Sequence, residues 1–202
     1  MKLYYSPGAC SLSPHIALCE AGVKFELVKA ALKTHTLADG SDYYQVTAKG
    51  QVPLLELDDG ARLSEGPVNL QYIADHAPGC GLAPEAGTLE RYRVQEWLNF
   101  ITSELHKGFS PLFNPNMPQE AKEIFAARLT DKFAYVDGKL EGNDYLMGRQ
   151  FSIADAYLFT ISNWAAGPGI DLSGFKNVEA YRARMKARPA VQDAMKAEGL
   201  LK

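Results

Sequence analysis

Cys10 is the side chain in this sequence best placed to act as a nucleophile, in the run Cys10-Ser11-Leu12-Ser13. A helix is predicted to begin at Pro14, with Ser13 as its N-cap, and to end at Gly22. The free N–H groups and partial positive charge at a helix start favour a thiolate. Because position 13 is serine, a partner thiol for Cys10 has to come from elsewhere, such as a small thiol. A buried free cysteine that acts as a small apolar side chain is an alternative that position alone leaves open.

The other cysteines point away from metal and disulfide chemistry. Cys19 falls in the middle of the predicted helix and Cys80 in a Pro/Gly-rich connector, so both are interpreted as structural or incidental. Their spacing suits no zinc site and the histidines are scattered, so no metal is expected. A sparse, odd cysteine count is typical of a reducing compartment. With neither a signal-peptide pattern nor an apolar run of about 18 residues, the sequence predicts a cytoplasmic protein that does not enter the membrane.

Two further short runs are candidates for ligand binding. Val52-Pro53 precedes an apolar strand, and a cis-proline there would let an extended peptide pair with the Val52 backbone. Base rates alone favour an ordinary trans proline at a strand edge. Glu65-Gly66 precedes a helix, where free N–H groups bind a carboxylate and Glu65 pairs with an ammonium. The competing interpretation is simple capping, with Ser64 as the N-cap.

Composition and patterning define the elements that must position these residues. The chain has 202 residues, of which 47% are hydrophobic and 22% charged, so two small domains with real cores are possible. The formal net charge of −3 and the lack of a basic run argue against nucleic-acid binding. Strands alternate with helices over the first eighty residues, with strands predicted at 2–5, 25–28, 54–57 and 61–63.

The remainder of the chain is predicted to be helical. The Pro/Gly-rich stretch 77–84 marks a connector, and the domains are predicted as 1–80 and 88–202, joined by 81–87. Helical periodicity covers 89–107, 118–141, 153–164, 178–187 and 190–198. Ser152 and Asp155 have the spacing of a capping box. The fold class is therefore a small α/β domain followed by an all-α domain.

One predicted helix carries a polar stripe. At 100° per residue, Asn99, Ser103 and His106 share one side, opposite an apolar stripe. Its members are Val94, Trp97, Leu98, Ile101 and Leu105. The polar stripe can face a binding cleft, where His106 could donate a hydrogen bond or move a proton near neutral pH. A solvated helix face is the alternative.

Together these runs resemble the cytosolic glutathione transferases, and the Pro-Gly-Ala-Cys-Ser form around Cys10 resembles the bacterial beta class. The resemblance also includes the runs 50–54 and 65–66, and it extends through 96–107, 109–113 and 152–157 in the helical half. It implies a thioredoxin-like N-terminal domain, an all-α C-terminal domain and a homodimer. It further implies glutathione as co-substrate, with no permanently bound cofactor, and a hydrophobic electrophile as the second substrate, bound at sites between the domains.

The resemblance also assigns roles to residues. Cys10 would lie against the glutathione sulfur, Val52 would pair with its cysteinyl part before a cis Pro53, and Glu65 with Gly66 would hold the γ-glutamyl end. Four residues would approach from the helical domain, some of them across the dimer interface: Asn99, Ser103, Glu104 and His106. The chain departs from the class at His35, where a lysine is usual. His35 would meet the glycine carboxylate of glutathione more weakly.

Three activities are compatible with these assignments. The first is conjugation of the glutathione thiolate to a hydrophobic electrophile, with Cys10 and His106 as catalytic residues. The second is thiol–disulfide exchange through a mixed disulfide on Cys10. The third is a non-catalytic role in binding glutathione or foreign compounds. The electrophile would meet apolar side chains of the helical domain, and the candidates are Phe109, Phe113, Tyr157 and Trp164, which also suit an ordinary core.

Overall fold

The computed structural model describes residues 1–201, which form two compact units. The first unit contains residues 1–83 together with the described residues from Arg188 onward, and the second contains residues 84–187. The sequence predicts a helical domain that continues to 202, whereas helix α8 (Pro189–Ala197) groups with the first unit because it packs against that unit's first helix. Lys202 lies outside the described residues.

The first unit is built on a five-stranded sheet of order β3-β2-β1-β4-β5. Its strands are β1 (Lys2–Tyr5), β2 (Glu26–Ala31), β3 (Thr36–Leu37), β4 (Leu54–Glu56) and β5 (Arg62–Ser64). β1 and β2 are parallel, and every other neighbouring pair is antiparallel. Four of these strands correspond to the predicted ones. The two-residue β3 was not predicted, because it is too short to show an alternating pattern.

Helices complete the first unit. They are α1 (Leu12–Ala21), α2 (Gly66–His76) and α8, with a 3₁₀ turn at Tyr43–Gln45. α1 packs against both α2 and α8 and is buried along 12–18. The prediction that Ser13 caps α1 is wrong, because the helix begins at Leu12 and the Ser13 hydroxyl donates to the Cys10 carbonyl at 2.7 Å. α1 ends at Gly22, as predicted, and Gly22 adopts a left-handed conformation.

The second unit is entirely helical. Its helices are α3 (Leu89–Phe100), α4 (Lys107–Phe113), α5 (Gln119–Leu140), α6 (Ile153–Ser162) and α7 (Lys176–Lys186), with a 3₁₀ turn at Asn163–Ala166. α3 and α4 are joined by a π-helical turn, Ile101–His106. Every residue of α6 is buried, so α6 is the core of this unit.

A buried carboxylate fixes the start of α6. The predicted capping box is confirmed, since Asp155 accepts hydrogen bonds from the Ser152 N–H at 2.8 Å and the Ser152 hydroxyl at 2.9 Å. Asp155 also accepts from the Leu146 N–H at 2.9 Å, which ties the preceding loop to the helix. Over residues 1–201, no helix has both the length and the hydropathy to span a membrane.

Candidate functional site

Cys10 lies in the turn between β1 and α1, two residues before the helix begins. Its side chain is half-buried, and the thiol donates to the Val52 carbonyl oxygen with an Sγ–O distance of 3.3 Å. The same turn is braced from within, because the Ser11 hydroxyl accepts from the Ser6 N–H at 3.1 Å. The thiol is therefore held at a helix start and against the loop that carries Val52.

That loop is held by three side chains acting on three successive carbonyl groups. The Gly50 oxygen lies 3.1 Å from His35 Nδ1, the Gln51 oxygen accepts from the Tyr43 hydroxyl at 3.0 Å, and the Val52 oxygen accepts from Cys10. The Val52–Pro53 peptide is cis, as the resemblance implies. No residue within 1–201 accepts a hydrogen bond from the Val52 N–H. The loop thus offers a backbone donor beside the thiol.

His35 contacts the loop that carries Val52. Its ring lies against Tyr44 with centroids 4.4 Å apart and the ring planes tilted by 32°, and its Nδ1 is engaged by the Gly50 carbonyl. Its backbone has a φ of 53°, which is unusual for a non-glycine residue. A Cβ at Gly50 would lie 2.6 Å from Tyr44 and 2.8 Å from His35, so glycine is required there. His35 therefore braces the loop, and contact with a ligand carboxylate through its other ring nitrogen stays a prediction.

Glu65 and Gly66 lie next to this loop. β4 pairs with β5 so that Leu54 faces Ser64, and a Cβ on Gly66 would lie 3.8 Å from the Pro53 ring. Glu65, with a φ of 72°, is the N-cap of α2, so the alternative that Ser64 caps the helix is wrong. Within residues 1–201, no acceptor engages the Gly66 N–H.

The Glu65 carboxylate faces solvent beside one cation. Its side chain is 62% exposed and lies 2.6 Å from the Lys49 ammonium, which also donates to the Ser64 hydroxyl at 2.9 Å. Exposed ion pairs of this kind contribute little to stability, so the carboxylate can exchange partners at small cost. The first unit therefore brings together the thiol, a backbone donor, an exchangeable carboxylate and a helix-start N–H.

Hydroxyl groups near the thiol are poorly suited to activating a second thiol. Burial, followed by the charge of Glu198, raises the pKa of Tyr5 above its ordinary value. Ser11 is fully buried and its hydroxyl is bonded to the Ser6 backbone. Cys19 is not a second candidate, because burial and then nearby Asp193 raise its pKa to about 11.

A buried carboxylate that sequence reasoning missed holds the Cys10 turn from the other side. Glu198 follows α8, and its Oε2 accepts from the Gly8 N–H at 2.9 Å. Its Oε1 lies 2.9 Å from Nδ1 of His15, and both side chains are at most 1% exposed. No local pattern signals this contact, because His15 and Glu198 are 183 residues apart in sequence.

In the second unit, the predicted polar stripe is divided by the π-helical turn. A π turn rotates less per residue than the assumed 100°, so the positions after Ile101 are displaced from the angles that were assumed for them. The Ser103 hydroxyl donates to the Asn99 carbonyl at 3.1 Å, and the Glu104 carboxylate pairs with the Lys132 ammonium at 2.8 Å. His106 turns inward, with Nδ1 2.6 Å from the Tyr157 hydroxyl.

The apolar stripe is affected less. Val94, Leu98, Ile101 and Leu105 are buried as predicted. Trp97 is only half-buried, and its ring contacts Phe100 and Tyr135 on the rim of a groove of about 550 Å³ between α3 and α5.

His106 lies at the edge of an aromatic cluster, defined here as Phe109, Phe113, Tyr157 and Trp164. The His106 ring is 4.9 Å from the Trp164 ring, and Trp164 contacts both phenylalanines at 5.6–5.9 Å. Phe113 is 52% exposed, whereas Phe109 and Tyr157 are buried. Phe109, Phe113 and Trp164 are therefore in mutual contact, with Phe113 as their exposed member, and His106 lies between Trp164 and Tyr157.

The order of elements and the thiol beside a cis-proline loop define the first unit as a thioredoxin-like domain, which here precedes a helical unit. A glutathione S-transferase N-terminal domain matches residues 1–75, and a glutathione S-transferase C-terminal domain matches residues 100–189. The chain belongs to the glutathione S-transferase family. The predicted family and two-domain fold are confirmed.

Individual relatives agree with this assignment. The chain is 48% identical over 200 residues to glutathione S-transferase GstA of Escherichia coli O157:H7, which covers 99% of this chain and all of that one. Among solved structures, it is similar to BphK, a bacterial glutathione transferase, with a TM-score of 0.97, 54% identity and coverage of 99% and 100%. A beta-class enzyme of Sphingomonas chungbukensis gives a TM-score of 0.96 at 47% identity, with both chains fully covered.

Proposed function

We propose that this protein binds glutathione and transfers its thiolate sulfur to hydrophobic electrophiles. The observation that carries the proposal is the placement of Val52. Its N–H lacks an acceptor within residues 1–201, and its carbonyl lies against the Cys10 thiol. A cysteinyl residue that pairs with this backbone in extended form brings its own sulfur close to Cys10.

The γ-glutamyl end of glutathione is expected at the start of α2. Its ammonium suits the Glu65 carboxylate and its α-carboxylate suits the Gly66 N–H, which lies at the positive end of the helix. Lys49 has to share or release Glu65 when the ammonium arrives. We assign the glycine carboxylate to His35, as the sequence suggests, through the ring nitrogen that does not face Gly50.

The chemistry requires a thiolate. A free thiol has a pKa of about 8.5, so the site has to stabilise the anion and orient it toward the electrophile. The raised pKa of Tyr5 and the bonded hydroxyl of Ser11 leave Cys10, at the α1 N-terminus, and His106 as the proposed catalytic groups. The remaining predicted ligand contacts, Asn99, Ser103 and Glu104, are proposed on the family resemblance alone.

The aromatic cluster is the proposed place for the electrophile. Phe113 and Trp164 present apolar surface that is partly open to solvent, and His106 contacts the same cluster. When the thiolate attacks an aryl halide, a sulfur–carbon bond forms and halide leaves. A donor such as His106 would stabilise the charge that develops.

Calorimetry and conjugation kinetics test the proposal together. We expect glutathione to bind with a Kd of millimolar or lower, and 1-chloro-2,4-dinitrobenzene to be conjugated. Glu65→Gln should raise the KM for glutathione about tenfold, because a charge-assisted hydrogen bond contributes roughly 1.5 kcal/mol or more. Glu56→Gln, which alters a carboxylate paired with Arg62 on the same sheet, is the matched control. Absence of binding at about 10 mM glutathione, a concentration that would detect any Kd in the useful range, contradicts the proposal.

Thiol–disulfide exchange is separated from conjugation by Cys10→Ala. If conjugation is the main activity, this variant keeps much of its rate with the aryl halide. Complete loss of conjugation with unchanged glutathione affinity would count against conjugation as the main activity.

We also propose that the protein is a cytoplasmic homodimer. α3 exposes Leu89 and Tyr92, at 65% and 59%, near the aromatic groove that contains Trp97, and such surface favours burial by a second copy. Tyr92→Glu should shift the mass measured by light scattering from two chains to one, whereas Tyr44→Glu on the other unit should not. A monomeric wild type would contradict this assignment. Cys10, Cys19 and Cys80 form no disulfide, which suits a reducing cytoplasm.

A further inference from the structure

The His106 side chain makes an unusually short contact with a buried tyrosine. His106 Nδ1 lies 2.6 Å from the Tyr157 hydroxyl oxygen, and Tyr157 is 1% exposed on α6, the core helix of the second unit. The histidine ring meets the Tyr157 and Trp164 rings nearly at right angles, at 84° and 79°. The imidazole is therefore fixed in both position and ring plane.

A neighbouring hydroxyl offers the Tyr157 proton a second acceptor. Thr102 donates to the Leu98 carbonyl at 2.7 Å, so toward the Tyr157 hydroxyl, 3.4 Å away, it can only accept. A separation of 3.4 Å is long for a hydrogen bond between two hydroxyl groups, whereas 2.6 Å is shorter than an N–H donor usually makes and lies within the range of an O–H donor. The Tyr157 proton is accordingly directed at His106 Nδ1.

The direction of this proton sets the chemistry of the imidazole. A neutral histidine carries one proton, so a ring whose Nδ1 accepts must carry its hydrogen on Nε2. Such a ring donates from Nε2 and cannot act there as a base. Had Nδ1 carried the hydrogen, Nε2 would be a base.

We propose that Tyr157 is a positioning residue that holds His106 in the Nε2–H form, so that His106 stabilises the reacting anion as a hydrogen-bond donor and does not remove a proton from the glutathione thiol. This inference rests on the proposed transferase function. The thiol proton therefore passes to solvent, and His106 acts on the thiolate or on the departing anion. The short contact of the Tyr157 hydroxyl with Nδ1 and the right-angle packing of the ring hold His106 in this form.

A nitrogen-detected NMR experiment reads the tautomer without any activity. Long-range ¹H–¹⁵N spectra of the labelled protein, recorded above the histidine titration, distinguish protonated from bare ring nitrogens. His106→Asn assigns the signals. We expect Nε2 protonated and Nδ1 bare, with the Nδ1 resonance moving toward the value of a free imidazole in Tyr157→Phe. The proposal is overturned if the wild type has the Nδ1–H tautomer. It is also overturned if the Nδ1 resonance of Tyr157→Phe is the same as that of the wild type.

Kinetics test the role in the reaction. Tyr157→Phe should lower kcat for the aryl halide about tenfold, the effect of losing one hydrogen bond, while the KM for glutathione stays constant. Added to His106→Asn, it should cause no further loss. Tyr181→Phe is the matched control, because it too removes the hydroxyl of a buried tyrosine in the second unit. The Tyr181 hydroxyl donates to the backbone carbonyl of Asp155 at 2.8 Å and does not contact His106. Additive losses, or an equal loss of kcat in Tyr181→Phe, overturn the proposal.

A second variant keeps the test open if Tyr157→Phe folds poorly. Thr102→Val removes the competing acceptor and should leave both kcat and the His106 tautomer unchanged. A changed tautomer in that variant would mean that the Tyr157 proton is directed at Thr102, which overturns the inference. If glutathione does not bind at all, the transferase proposal fails, while the NMR spectra still decide the tautomer.

Discussion

Replacing Asn69 with leucine should stabilise this protein. Asn69 lies on α2, is completely buried, and neither its amide oxygen nor its amide nitrogen has a hydrogen-bond partner. Mutational data on proteins put the cost of burying an unsatisfied amide at about 1–3 kcal/mol. Leucine has the same number of side-chain heavy atoms in the same branched arrangement, so it removes this cost and adds apolar contact where α2 packs on α1 and β4. We expect the free energy of unfolding to rise by about 2 kcal/mol.

Urea and thermal unfolding measure this gain. For a chain of this length, each kcal/mol raises Tm by about 2–4 °C, so an increase of roughly 4–8 °C is expected. Gln71→Leu on the same helix is the control, because the Gln71 amide donates to the Pro67 carbonyl at 3.1 Å and its loss should stabilise nothing. If Asn69→Leu unfolds at the same urea concentration as the wild type or earlier, the amide is satisfied in solution and the reasoning is refuted.

Three further predictions concern residues of the first unit. Glu198→Ala removes the acceptor of the Gly8 N–H and the partner of the buried His15 ring, and it should lower the free energy of unfolding by about 3 kcal/mol in urea, with faster alkylation of Cys10. The raised pKa of Cys19 means that the folded state favours the neutral thiol, so stability is complete below pH 9 and declines between pH 9 and about 11. Cys19→Ala should flatten that decline, and an unchanged pH profile would contradict it. Gly50→Ala combines a φ of 58° with a clash and should cost at least about 1 kcal/mol and weaken glutathione binding in calorimetry.

Sequence patterns predicted the features whose causes are local. Gly22 ends α1 and the pair Ser152 and Asp155 begins α6, because caps depend on residues within one helical turn. The alternation of short strands and helices was also predicted, since turn-forming residues flank the strands between residues 2 and 64. The family resemblance then supplied what no local pattern contains, namely the cis peptide at Pro53.

The remainder depends on tertiary contacts. The π turn before His106 breaks the assumed period, and nothing in 101–106 differs in composition from an ordinary helix. The capping of α1 was misplaced because Ser11 and Ser13 are equally good cap residues and packing selects between them. The engagement of His35 with Gly50 requires a left-handed backbone that its residue type does not predict.

The chain order of the first unit has a consequence for synthesis on the ribosome. The turn that carries Cys10 is anchored by Glu198, so its last buried acceptor emerges only after the helical unit, residues 84–187, has been translated. At the usual 5–20 residues per second, this delay lasts about 5–20 s. During that interval the thiol belongs to an incomplete domain. A fragment cut at Ala83 would remain in that unfinished state permanently, and the Cys10 domain is therefore unsuited to being transplanted alone.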